Sequence, residues 1–83
     1  MLIKRNVECS SQGENLGRKT SLDECANACR NKNQCAFFIY GIDNKKGKCW
    51  WEKTSDGCET EEWETDNYNF YKLKMGTSSF SDY

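Results

Sequence analysis

The sequence predicts an α+β fold, a small disulfide-rich antiparallel sheet with one α-helix packed on it. Three observations carry this. Six cysteines and no histidine occur in 83 residues, an even count in a chain too short to bury a large core, where disulfides are the usual remedy. Ser21 to Asn33 reads as one short amphipathic helix. Cys35–Ile42 is rich in aromatic and β-branched residues, and Lys48–Lys53 returns after a polar turn, which is the pattern of a hairpin.

Taken in order, Leu2–Cys9 (L-I-K-R-N-V-E-C) can form a first strand, and Ser10–Lys19, with Gly13 and Gly17 and little apolar content, reads as a loop. Ser21 and Glu24 then fit a capping box. Asp23 and Glu24 suit the positive end of the helix dipole, and Arg30 and Lys32 suit the negative end. Leu22, Cys25, Ala26 and Cys29 recur at spacings of three and four and so share one face. The helix should end near Asn31 to Asn33, where the sequence turns polar. On the first hairpin strand, Phe38 and Tyr40 share a face opposite Phe37 and Ile39. Asp43–Gly47 forms the turn. On the return strand Cys49 and Trp51 share one face, and Lys48, Trp50 and Glu52 the other. Thr54–Asp66 reads as an acidic connection holding a lone Trp63, and Tyr68–Lys74 as the last strand. Residues 1–75 then make one domain, and Gly76–Tyr83 a flexible tail or linker.

Cys25 and Cys29 are poor partners for each other, because Cβ atoms one helical turn apart lie roughly 5–6 Å from one another and a disulfide needs about 3.8 Å. Both should point at the sheet. Cys29 lies just ahead of Cys35, which opens the strand, and Cys25 can reach Cys49, which leaves Cys9 with Cys58. This nested pairing is one of the connectivities that six cysteines allow; helix geometry excludes some of the others and not all.

The totals exclude several function classes. A net charge of −1 suggests no general attraction to nucleic acid. No apolar run approaches the roughly 18–20 residues of a membrane span, so direct membrane insertion is not expected. A zinc site usually shows short cysteine pairs with histidines, and there is one such pair and no histidine; neither a metal nor a cofactor is expected. Catalysis is not expected either. There is no histidine, no free thiol if all three bridges form, and no nucleophile elbow or phosphate loop. The paired carboxylates lie in the acidic connection, where water should keep them at ordinary pKa values. The cysteines call for an oxidising compartment, yet Met1–Asn6 has no apolar core fit for a signal peptide. The chain therefore reads as part of a larger secreted protein, with Met1 added.

The helix E-C-A-N-A-C, the strand C-A-F-F-I-Y and the strand C-W-W-E together resemble a PAN/apple domain. The positions are Cys25 and Cys29, then Cys35, Phe38 and Tyr40, then Cys49, and the likeness runs from about Cys9 to Lys74. Such modules occur in hepatocyte growth factor, plasma prekallikrein and apicomplexan microneme adhesins. The resemblance implies a sheet with one helix packed on it and the nested pairing as the apple-type variant. It also implies an extracellular, non-catalytic adhesion module, secreted or held in a secretory organelle before release. Such a module binds a protein receptor or a glycan on a cell surface, beside other domains of its parent protein. Cys58 lies ahead of the last expected strand, which departs from the family pattern. A structural or self-assembly unit of an extracellular polymer is the alternative, and a disulfide-rich inhibitor a third, although no exposed reactive loop is evident.

The candidate binding residues are Trp50, Tyr40, Lys45, Lys46, Lys48 and Trp63. Trp51 shares the face of Cys49 and should be core. Trp50 then lies on the other face with Phe37 and Ile39, covered by the N-terminal strand or a loop, or left as a partly exposed aromatic platform of the kind found in protein and sugar sites. Lys45, Lys46 and Lys48 make a basic turn that is either a solvated loop or a contact for an anionic glycan such as heparin. The five acids at Glu59, Glu61, Glu62, Glu64 and Asp66 are either solvated or able to steer a basic partner. Trp63 among them is a secondary anchor or a further contact.

Overall fold

The computed structural model describes residues 1–10, 13–54, 57–58 and 62–73. Five antiparallel strands form one sheet: β1 (Leu2–Cys9), β2 (Glu14–Arg18), β3 (Phe37–Gly41), β4 (Lys48–Trp51) and β5 (Trp63–Lys72), in the order β1-β5-β3-β4-β2. The single helix, α1 (Leu22–Arg30), lies between β2 and β3 in the chain. The α+β class and the disulfide-rich antiparallel sheet with one helix are as the sequence predicts.

The helix begins where the capping residue stands. Ser21 Oγ accepts from the Glu24 N–H at 3.2 Å, and Glu24 Oε1 accepts in return from Thr20, one residue ahead of the cap, at 3.0 Å. Arg30 in the last turn donates to Asn27 Oδ1. The buried stripe is Cys25, Ala26 and Cys29, each fully sealed from water.

Two cores lie on the two faces of the sheet. Under the helix, Cys25, Ala26 and Cys29 pack with Cys35, Phe38, Cys49 and Leu73, and half-buried Leu22, Tyr40, Trp51 and Tyr71 complete the layer. On the other face Val7, Cys9, Phe37, Ile39, Tyr68 and Phe70 form a second cluster, with Cys58 packed onto it. Disulfides Cys25–Cys49 and Cys29–Cys35 tie the helix to β4 and to the chain just before β3, and Cys9–Cys58 closes the helix-free face. No cysteine is free. Each loop that a bridge closes restricts the unfolded chain, which is how a sheet this small with a split core can be stable.

The hairpin turn is tighter than a simple loop. Asp43–Lys45 forms one 3-10 turn, with the Lys45 N–H on the Ile42 carbonyl at 2.9 Å. The Lys45 carbonyl folds back onto Gly41 so closely that a Cβ there would overlap it.

Two boundaries differ from expectation. The stretch read as a loop, Ser10–Lys19, contains β2, an edge strand on β4. Only Leu16 of E-N-L-G-R is apolar, because an outer strand with one thinly covered face needs little more, and a bulge breaks its alternation. The last strand starts at Trp63 rather than Tyr68, so Glu64 and Asp66 belong to β5 and not to the acidic connection. They lie where β5 pairs with edge strand β1, near water, and that tolerates the charges. Glu59, Glu61, Lys74 and the expected tail Gly76–Tyr83 lie outside the described residues.

Candidate functional site

The helix-free face of the sheet carries a partly exposed aromatic surface. Its centre is sealed: Phe37 stacks on Phe70 with centroids 5.5 Å apart, Trp63 meets Phe70 edge-on at 4.9 Å, and Gly57 and Cys58 lie over this cluster. Trp50, on β4, packs against its margin and stays half-buried. Tyr68 lines a cleft together with Trp50. Burial raises the Tyr68 pKa, and the Lys45 charge opposes the rise. The face is covered at its middle, and Trp50 at its margin is partly exposed.

Trp50 forms a wall of two clefts of opposite charge. The first, of about 210 Å³, is lined by Asn15, Gly17, Arg18, Lys48 and Trp50. The second, of about 250 Å³, runs from Trp50 and Tyr68 to Glu8, Glu52, Glu64 and Asp66.

The acidic cleft is an ordered network. Asp66 lies 2.5 Å from Lys45 Nζ and accepts from the Asn67 N–H at 2.7 Å. Glu8, across the β1–β5 pairing, hydrogen-bonds to Asp66 and faces Glu64 directly in register. The result is a split pair. Burial, the bond to Asp66 and the charges of Asp66, Glu52 and Glu64 push the Glu8 carboxyl up to about 8, so it is protonated at neutral pH. The bonds from Glu8 and Lys45 hold Asp66 down at about 2. This corrects the expectation that paired carboxylates would lie in the acidic connection at ordinary pKa values; one partner comes from β1, and the cleft removes enough water to separate the two. Glu52 is 2% exposed and accepts from the Cys9 N–H at 2.9 Å. The Glu52 carboxylate and the Cys9 and Cys58 sulfurs lie within 4.8 Å of one another, but both sulfurs are bridged and offer no thiolate to a metal.

The sequence-nominated residues divide among these surroundings. Trp50 and Lys48 line the basic cleft. Lys45 is drawn into the acidic cleft, ion-paired with Asp66 and set 5.0 Å from the Tyr68 ring. Lys46 is exposed in the turn, and its carbonyl accepts from Arg18. Tyr40 lies on the opposite face, under the helix, and donates to the Lys19 carbonyl at 3.1 Å. Trp63 packs on Phe70 with Lys4 5.1 Å from its ring and lines neither cleft. Arg18, Asn15 and Glu8 were not singled out from the sequence. Gly17, an isolated glycine between Leu16 and Arg18, was the one available signal, since such a glycine in a strand marks a bulge.

No family model, no curated protein and no solved structure matches this chain, so the likeness to PAN/apple domains rests on the cysteine, helix and strand residues themselves.

Proposed function

We propose that the chain is a non-catalytic binding module of an oxidising, extracellular setting, of the kind PAN/apple domains supply, and that it takes its ligand on the helix-free face around Trp50. One observation carries the reading. A half-exposed indole stands between two clefts of opposite charge, on a scaffold whose six cysteines are all bridged. A large amphipathic aromatic ring is a usual anchor of a recognition surface. The disulfides fit an oxidising compartment, and among the described residues no helix is long and apolar enough to cross a membrane. In the carboxyl pair, the proton on Glu8 is held by Asp66, whose charge is balanced by Lys45; this arrangement balances charge across β1 and β5 without calling for a substrate.

Arrays of immobilised glycans and secreted proteins test the reading. Binding by the native chain is expected to be lost in Trp50→Ala, with disulfides and far-ultraviolet dichroism retained. Turnover of a glycoside or peptide substrate that Glu8→Gln abolishes would overturn it. A second reading, a self-assembling structural unit, is favoured by the edge strand β1, where Ile3 is 41% exposed, and by Met1 just ahead of it, 54% exposed. An open apolar edge can pair with another copy. Sedimentation decides: concentration-dependent oligomers that Ile3→Lys disperses would support assembly.

A further inference from the structure

Asn15 and Arg18 are three residues apart on β2, and in an unbroken strand that spacing sends side chains to opposite faces. Here it does not. Asn15 stands opposite Trp50, and Arg18 opposite Lys48; Trp50 and Lys48 are two apart on β4 and share a face. The register shifts between Asn15 and Gly17, Gly17 has a φ of +94°, and Asn15 Oδ1 accepts from the Gly17 N–H at 2.8 Å. This is a bulge built on a left-handed glycine. The extra residue lets Leu16 pack toward the helix while Arg18 turns onto the helix-free face beside Trp50.

That placement is unfavourable for the sheet alone. Like charges directly opposed across a strand pair are destabilising, and neither Arg18 nor Lys48 makes an ion pair among the described residues. The guanidinium is nevertheless held, with Nη1 donating to the Lys46 carbonyl at 2.7 Å. Two cations, one of them held, a carboxamide and an indole therefore meet in one cleft of about 210 Å³.

We infer that this cleft binds one unit of an acidic saccharide, a uronate or sulfated sugar, with Trp50 against the C–H face of the ring and Arg18 and Lys48 on its carboxylate or sulfate. The assignment rests on the binding-module reading above and names its ligand class. The planar fork of arginine matches a carboxylate or sulfate, and an aromatic ring matches the apolar face of a pyranose. A neutral sugar leaves both cations without a partner, and an acidic peptide leaves the indole without a ring.

Calorimetric titration of the native chain with an oligogalacturonate, a heparin-derived tetrasaccharide, cellotetraose, sulfate ion and a poly-glutamate peptide tests this. At least one acidic saccharide is expected to bind at least roughly ten-fold more tightly than the other three probes, with affinity falling as salt rises. Arg18→Gln and Lys48→Gln should each weaken that binding by roughly three- to ten-fold and flatten its salt dependence. Lys72→Gln, which keeps the cleft intact, should leave both unchanged. Because Arg18 and Lys48 are exposed, these variants keep the fold whatever Trp50→Ala does. Equal binding of cellotetraose, of sulfate alone or of the peptide overturns the assignment, as does indifference to Arg18→Gln. If no saccharide binds but the arrays show a Trp50-dependent protein ligand, this assignment fails and the binding-module reading stands.

Discussion

Glu8 should make stability fall as pH rises across neutrality. Its carboxyl titrates near 4.5 in the unfolded chain and near 8 in the folded one. Between those values the folded chain holds a proton that the unfolded chain has released, so each increment of pH favours unfolding. The advantage is complete below about 4.5 and gone once pH has passed about 8. Asp66 works in the other direction and elsewhere: its depressed carboxyl contributes above its ordinary value of 3.8, and that contribution is lost as pH falls toward about 2. The window from 4.5 to 8 therefore belongs to Glu8 rather than to Asp66. The whole displacement would correspond to about 5 kcal/mol at 1.36 kcal/mol per unit. Glu8 is only half-buried, and water screens Glu64 and Asp66, so about 1–2 kcal/mol is the expected loss, or about 5–10 °C in Tm for a domain of this size. Thermal unfolding at intervals from pH 5 to pH 9 measures it, with Glu8→Gln as the reference, since glutamine keeps a donor toward Asp66 and cannot ionise. Carbon-detected titration of the Glu8 carboxyl should show a midpoint near 8. A flat profile in the native chain, or the same slope in Glu8→Gln, would refute the idea that the proton is shared across β1 and β5.

Three further outcomes follow from the packing. In the chain-entropy picture the bridges rank by the loops they close, with sequence separations of 49, 24 and 6; double Ala replacement of Cys9/Cys58 should cost about 4 kcal/mol, of Cys25/Cys49 about 3.5, and of Cys29/Cys35 about 2.4. Denaturant unfolding of the three variants checks the order, and equal losses would show that packing rather than loop closure dominates. Gly41→Ala should cost about 2–3 kcal/mol in the same assay, because its Cβ overlaps the Lys45 carbonyl and the 3-10 turn must move; a shift below about 0.5 kcal/mol would mean the turn relaxes freely. Phe70→Ala, at the fully buried centre of the helix-free cluster, should cost about 3–5 kcal/mol and dim the near-ultraviolet signal of Trp63, which rests edge-on against that ring.

The parts of this molecule legible in the sequence are those that local spacing decides. Ser21 before L-D-E-C, and Cys25 and Cys29 one turn apart, are enough to start the helix and aim its sulfurs, and strict alternation in F-F-I-Y and C-W-W is enough to separate Trp51 from Trp50. The parts that were not legible depend on which residues stand opposite one another. Nothing in E-N-L-G-R says that it pairs with β4, and the apolar content that would mark it as a strand is absent because it is an edge. Glu8 and Asp66 lie 58 positions apart in the chain and meet only because β5 is threaded between β1 and β3, far from its hairpin neighbours in sequence. The same holds for the basic cleft. Lys48 was visible in the hairpin turn, but its partner Arg18 reaches the Trp50 face only through a bulge, and a bulge reverses the very alternation that a reader of the sequence relies on. A register shift that brings two cations face to face raises the energy of the empty sheet. The surface residues around Trp50 are therefore arranged at some expense to the fold, and an anion placed between Arg18 and Lys48 is the simplest thing that would offset it.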